Sequence, residues 1–290
     1  MGKRPGLIYE AIQRLNQLMA PGEKRSEAKA QARARGETFW SFSDGKMHSY
    51  QTRETYQALI MRFLHWCRDV HGLKRLAEVD ARADELVTSY LSERKAQGYS
   101  PWTLTTERSA FRLFFGSGTL AKQLELPPRH REAIHRSRHS NNPNRHVQPH
   151  HWESLLAFLD ATGLRRSEVR DVLVRDVLDD EEQVYIRVRR GKGGKERWVP
   201  VLPGREKHVL QIIKGRTPGE HIFAKLPKHL NIHAHRRRYA QAYYQHLSGR
   251  PLPPASGRLP QGVVDHDAVL AVSRALGHNR EDVVLTYYLR

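Results

Sequence analysis

The C-terminal half of the chain holds a set of side chains suited to work on a phosphodiester. Breaking such a bond without a metal needs three things: a nucleophile for phosphorus, fixed cations to hold the charge of the transition state, and an acid for the leaving oxygen. Arginine suits the cation role because its guanidinium stays charged and can grip two phosphate oxygens at once. Arg165 follows Thr162-Gly163-Leu164, with Ser167-Glu168 just behind it. Lys192 sits in the turn Gly191-Lys192-Gly193-Gly194. His233 and Arg236 are three residues apart and share a helix face. His278 follows Leu276-Gly277, and Tyr287 and Tyr288 come soon after. Lys or His can serve as the acid, and tyrosine as the nucleophile.

In these four places the chain resembles the tyrosine recombinase (phage integrase) family. Ala161-Thr162-Gly163-Leu164-Arg165-Arg166-Ser167-Glu168 is similar to that family's first arginine box. Gly191-Lys192-Gly193-Gly194-Lys195-Glu196-Arg197, followed by Val199-Pro200, resembles its β-hairpin lysine motif. His233-Ala234-His235-Arg236 resembles its H-x-x-R box, and Leu276-Gly277-His278 its L-G-H box. One such box arises easily by chance; four in the family's order do not. The resemblance covers roughly residues 150 to 290 closely and the helical region before it in layout.

The resemblance implies roles. Arg165 and Arg236 would clamp the scissile phosphate, and Lys192 would protonate the leaving 5′ oxygen. His233 would assist proton transfer, and His278 would hydrogen-bond the phosphate. A tyrosine would form a 3′-phosphotyrosyl bond, with religation needing no ATP, metal or other cofactor. The family's spacing after the L-G-H histidine admits both Tyr287 and Tyr288. Adjacent helical residues diverge by about 100°, so only one can face the phosphate. Val283, Leu285 and Leu289 favour Tyr288, with Tyr287 as the alternate. Two departures stand out: a Pro-rich insertion over 248–266, and an end at Arg290 where many members continue into a helix that docks on a neighbouring protomer.

These residues need elements to position them. The fold class expected is mainly α with a small β-sheet or hairpin: a helical core-binding domain followed by a mixed α/β catalytic domain. Residues 1–45 read as a basic arm. Residues 46–125 read as the helical, DNA-gripping domain. There Tyr56, Leu59, Ile60, Phe63, Leu64 and Cys67 share a helix face behind Thr52 as N-cap, and Leu86, Tyr90 and Leu91 mark a second helix. Ser100-Pro101 opens a third, carrying Leu104, Phe111, Phe114 and Phe115. Residues 126–150, rich in proline and arginine, read as a linker. Residues 151–290 read as the catalytic domain: a helix ending at Thr162-Gly163, a hairpin from Val184-Ile186-Val188 to Glu196–Val201, and helices near Arg236–Leu247 and Val269–Leu276.

Charge points to the partner. The 290 residues carry 49 Lys and Arg against 31 Asp and Glu, a formal net charge of +18. A folded chain bears such self-repulsion most readily when its partner is a polyanion, most often nucleic acid, and the resemblance implies double-stranded DNA. No long apolar run or signal-peptide pattern favours a membrane. One cysteine, Cys67, excludes an internal disulfide. A cytoplasmic protein is expected, monomeric or weakly associated when free; the family resemblance implies a homotetramer on DNA. Arg129, Arg131 and Arg136 read as DNA contacts, and Lys195 and Arg197 as DNA (hairpin phosphate) contacts or solvated charges. His235, Arg237 and Arg238 read as surface or DNA-backbone residues, Glu168 as a structural partner, and Tyr243 and Tyr244 as packing. The histidines at 130, 135, 139, 146, 150 and 151 match no zinc spacing, so no metal is expected. A type IB topoisomerase-like enzyme would use the same chemistry without a specific site, and a non-catalytic DNA-binding protein of this fold is the alternative from another class.

Overall fold

The computed structural model describes residues 6–23, 25–36, 43–134, 147–191 and 194–290. Its chain divides into two compact units, Met1–Ala133 and Ile134–Arg290. The architecture is mainly helical with one small sheet, the class expected from sequence.

The first unit holds α1 (Leu7–Gln17), α2 (Arg25–Ala34), α3 (Tyr50–His71), α4 (Leu76–Ala81), α5 (Ala83–Ala96) and α6 (Pro101–Phe114). Helix α3 begins one turn earlier than expected. Ser49, not Thr52, is its N-cap, accepting from the Thr52 N–H at 3.1 Å. Gly72 closes the helix in the left-handed conformation. Helix α6 starts as read, with Ser100 capping the Thr103 N–H and Pro101 in the first turn. Ile60, Phe63, Leu64 and Cys67 of α3 are fully buried against Leu86, Tyr90 and Leu91 of α5 and Leu104 and Phe111 of α6. Phe63 touches the rings of Tyr90, Phe111 and Phe115. The arm reading is corrected over α1. Leu7, Ala11 and Leu15 recur every four residues and belong to this same core, so the apolar stripe outweighs the surrounding charge.

The second unit holds α7 (Glu153–Thr162), α8 (Arg166–Asp171), strands β1 (Val177–Asp179), β2 (Val184–Val188) and β3 (Arg197–Pro200), then α9 (Glu206–Ile213), α10 (Ile232–Ser248), α11 (His266–Ala275) and α12 (Glu281–Tyr287). The sheet is antiparallel in the order β1-β2-β3. Its first strand adds to the expected hairpin. Ile186 pairs with Val199 and Val188 with Arg197, and these four point at the core; Arg187 pairs with Trp198 on the outer face. Helix α10 runs through the unit's core, burying Ile232, Tyr239, Ala240 and Tyr244. The Pro-rich insertion packs onto this core through Leu252 and Val264.

Candidate active site

The first arginine box is a helix-to-helix corner. Helix α7 ends at Gly163, whose φ of +58° favours glycine. A side chain there would also collide with Tyr239: an added Cβ would lie 2.4 Å from the ring. The corner therefore lies flat on α10. Arg165 then caps α8 from the outside, and Glu168 reaches back to accept from the Arg165 N–H at 2.8 Å.

Glu168 is the electrostatic hub. It is buried, and both its oxygens accept from Arg197, Nη1 to Oε1 at 2.9 Å and Nη2 to Oε2 at 2.8 Å. Arg165 Nη1 also donates to Oε1 at 2.8 Å. Burial pushes the Glu168 carboxyl up, but the hydrogen bonds and charge of Arg197, reinforced by Arg165, outweigh it and hold the group at about 2. The carboxylate is therefore ionised at neutral pH.

The L-G-H segment joins Arg165 and Arg236. The Leu276 carbonyl accepts from Arg165 Nη2 at 2.9 Å and also from Arg236 Nη2. Arg236, 2% exposed, further donates through Nη1 to the Gly163 carbonyl at 2.6 Å. Burial pulls its guanidinium below the usual arginine range; Arg165 adds to this, and the Tyr288 phenol opposes it. The charge survives, since arginine starts so high. Ser273 steadies the loop, donating through Oγ to the Arg280 carbonyl and accepting from the Arg280 N–H, both at 2.8 Å.

Tyr288 closes the group. It is 3% exposed, and its hydroxyl accepts from Arg236 Nε at 3.2 Å and lies 3.2 Å from His278 Nε2. The His233 ring stands edge-on to it with centroids 5.4 Å apart. Gln241, on the same helix as Arg236, donates to the Tyr288 carbonyl at 3.1 Å and so fixes the segment that carries the phenol. Tyr287 points outward and is 39% exposed. The His233 imidazole is held below its ordinary value, first by desolvation and then by Arg236, Arg237 and Arg165, which favours the neutral ring near pH 7. Arg165, Arg166, Asn231, His233 and Arg236 line a cleft of about 330 Å³ beside this cluster. Arg166 shapes its rim by donating to the carbonyls of Pro227 at 2.9 Å and Leu230 at 2.6 Å.

The structure thus brings together Arg165, His233, Arg236, His278 and Tyr288. Lys192 and Arg136 lie outside the described residues, as do the histidines at 135, 139 and 146. Lys195 and Arg129 are exposed and Arg131 is half-buried. Two readings need correction. Arg197 is no free phosphate contact, because Nε donates to the Ala275 carbonyl at 2.9 Å and both terminal nitrogens serve Glu168. His235 is no surface residue: it is 1% exposed, with Nδ1 2.8 Å from an Asp160 carboxylate oxygen that also meets Arg238. Tyr243 and Tyr244 pack as expected, the first stacked on Tyr239 and the second fully buried. Among the described residues no three His, Cys, Asp or Glu side chains gather as a metal site, and no helix is long and apolar enough to cross a membrane.

Comparison with known proteins adds a line from the other half of the chain. Residues 42–118 match the phage integrase N-terminal SAM-like domain. The four boxes at residues 161–278 lie beyond that match. No curated protein matches in sequence. Solved structures similar to this chain include XerA recombinase, at 16% identity over 96% of this chain and 93% of that one, with a TM-score of 0.33. XerH recombinase in a post-cleavage complex with palindromic difH substrate is 15% identical over 96% and 84%, with a TM-score of 0.43. The Tn1549 transposon integrase (residues 82–397) with circular intermediate DNA is 18% identical over 91% and 94%, with a TM-score of 0.44.

Proposed function

We propose that this chain is a site-specific DNA recombinase or integrase, serving a mobile element, that cuts and rejoins duplex DNA through a 3′-phosphotyrosyl intermediate on Tyr288. The observation that carries the reading is the Tyr288 hydroxyl, buried and 3.2 Å from both Arg236 Nε and His278 Nε2. In the reaction the Tyr288 oxygen bonds to phosphorus while the bond from phosphorus to the 5′ oxygen breaks. The phenolic proton passes to a neighbouring imidazole, and Lys192 protonates the leaving 5′ oxygen. Arg165 and Arg236 hold the charge on the non-bridging oxygens. A 5′ hydroxyl from the partner strand then reverses the step, which keeps the bond energy without ATP.

The charges agree with this use. Arg165, Arg197 and Arg236 bring three positive charges to one ionised carboxylate, Glu168, a surplus of two. A phosphodiester passing to a pentacoordinate state gains negative charge at such a place. The test is a nicked suicide substrate carrying the element's own ends, incubated with EDTA and run on a denaturing gel. A covalent adduct lost in Tyr288→Phe and kept in Tyr287→Phe is expected. Loss in Tyr287→Phe alone reassigns the nucleophile. DNA bound without any adduct moves the chain to the non-catalytic class, and relaxation of plasmids lacking the site moves it to the topoisomerase class.

A further inference from the structure

Arg197 sits at the start of β3, five residues beyond Lys192 and two beyond the exposed Lys195. Its side chain does the opposite. It pairs across the sheet with buried Val188 and is only 12% exposed. The backbone is shaped around it on two sides. An added Cβ at Gly191 would lie 2.8 Å from Arg197 Nη1, and one at Gly277 would lie 3.1 Å from its Cδ. Those glycines belong to two different boxes, the hairpin turn and the L-G-H segment.

The guanidinium links three pieces of chain. It meets α8 through the bidentate pair with Glu168, and the end of α11 through the Ala275 carbonyl. Its own strand leads back to the hairpin turn. Each link ends one step from a phosphate-facing arginine. Glu168 carries Arg165, and Ala275 precedes the Leu276 carbonyl that receives both Arg165 and Arg236. Geometry explains why this position needs arginine rather than any cation. A bidentate fork fixes the carboxylate plane, and the third nitrogen remains for a carbonyl; an ammonium offers no such planar fork. With Arg197 engaging both oxygens of Glu168, Arg165 takes one edge of the carboxylate through Nη1 and reaches the Leu276 carbonyl through Nη2, which fixes the plane of its guanidinium.

We propose that Arg197 is a positioning residue: through Glu168 and the Ala275 carbonyl it sets Arg165, Arg236 and the base of the lysine hairpin in the arrangement that cleavage requires, without itself contacting DNA. The proposal rests on the recombinase reading, and its test separates the two. Arg197→Met and Arg197→Lys are compared with wild type for adduct formation on the suicide substrate at saturating protein, and for DNA affinity across a salt series. Arg187→Met, on the outer face of the same hairpin, is the control. Arg197→Met should cut the saturated cleavage rate 30- to 300-fold and leave affinity within about threefold, with an unchanged salt slope. Arg197→Lys should recover only part of the rate. Adding Glu168→Gln to Arg197→Met should lower the rate far less than the product of the two single losses, since both act through one contact.

A saturated rate within threefold of wild type, or a loss confined to affinity and salt slope, overturns the proposal and returns Arg197 to the phosphate contacts. Multiplicative losses in the double variant overturn it too. Wild type forming no adduct on its own site sinks the recombinase reading instead. Melting as a function of pH then judges the anchor alone. Glu168 faces Arg165, Arg197 and Arg236, and removing Arg197 should move its acid limb to higher pH. An unmoved limb rejects the coupling between Arg197 and Glu168 whatever the protein does to DNA.

Discussion

Each unit of the molecule buries a glutamate among arginines, and the two clusters differ in balance. In the first unit Arg94 meets Glu107 with Nε to Oε2 at 2.8 Å and Nη2 to Oε1 at 2.6 Å, both side chains under 10% exposed. Tyr99 lies under the guanidinium at 3.6 Å, and burial pushes the neighbouring Tyr90 phenol up to about 12. Arg62 approaches Glu107 only at 3.8 Å from a largely exposed position. One buried cation meets one buried anion, and aromatic rings seal them. In the second unit Arg165 and Arg197 share one carboxylate while Arg236 lies close by, and Arg165 and Arg236 also turn donors to backbone carbonyls, a phenol and a cleft. A closed pair serves the fold. An unbalanced cluster retains positive charge that an anion can satisfy, so charge count within a buried cluster distinguishes scaffold from site better than burial does.

The sharpest contrast lies in function. Arg165→Ala should slow covalent cleavage about ten-thousandfold, since it removes a full charge and its donors from the developing transition state. Arg94→Met should leave the rate per folded molecule unchanged. A comparable rate loss in the folded Arg94 variant would break the division into scaffold and site. On stability the order reverses. Arg94→Met strands the Glu107 carboxylate and should destabilise the first unit by about 4 kcal/mol, read as a lower urea midpoint. A change below about 1 kcal/mol would mean that Arg62 swings in as the replacement.

Glu168 supplies the pH signature of the unbalanced cluster. Its folded pKa, about 2, lies below the ordinary glutamate value. The stabilisation it brings is therefore complete above that ordinary value near ~4.3 and is lost as pH falls toward 2, amounting to about 3 kcal/mol. Urea unfolding at stepped pH should show this acid limb in wild type and not in Glu168→Gln. A limb of equal size in the variant would assign it to other carboxylates.

Much of this was legible in residue types. The glycines and the Arg, His and Tyr spacings picked out side chains that the fold does bring together, because backbone corners and phosphate chemistry restrict such positions to few residues. Ser100-Pro101 marked a helix start for a similar reason. What stayed hidden was direction. Tyr287 and Tyr288 are neighbours, and only the packing of α12 and the Gln241 contact turn Tyr288 inward. Arg197 and His235 were misread through their basic surroundings, yet both carried a signal. Arg197 is two residues from buried Val199 and so shares its face of β3, while His235 falls with Ile232, Tyr239 and Ala240 on the apolar side of α10. Periodicity outranked composition at both, as it did for Leu7, Ala11 and Leu15 in α1.

The smallest expected effect isolates the surplus charge without any reaction. Sulfate is a compact dianion with the tetrahedral oxygens of a phosphate, and the second-unit cluster carries a surplus of two positive charges. Binding there stabilises only the folded state, so sulfate at a few times its dissociation constant should add about 1 kcal/mol. Sulfate also strengthens every fold through exclusion from protein surface, and that part is common to all variants. The informative quantity is the difference: wild type should gain about 1 kcal/mol more than Arg165→Ala, while Arg94→Met, with the cluster intact, should gain as much as wild type. Hydrogen exchange locates the gain, which should slow amides around Gly163, Arg236 and Leu276 and leave those of α3 and α5 alone. Equal gains in all three proteins would show that the guanidiniums are already satisfied by their carbonyl and carboxylate partners, and the two clusters would then differ in composition and not in readiness for an anion.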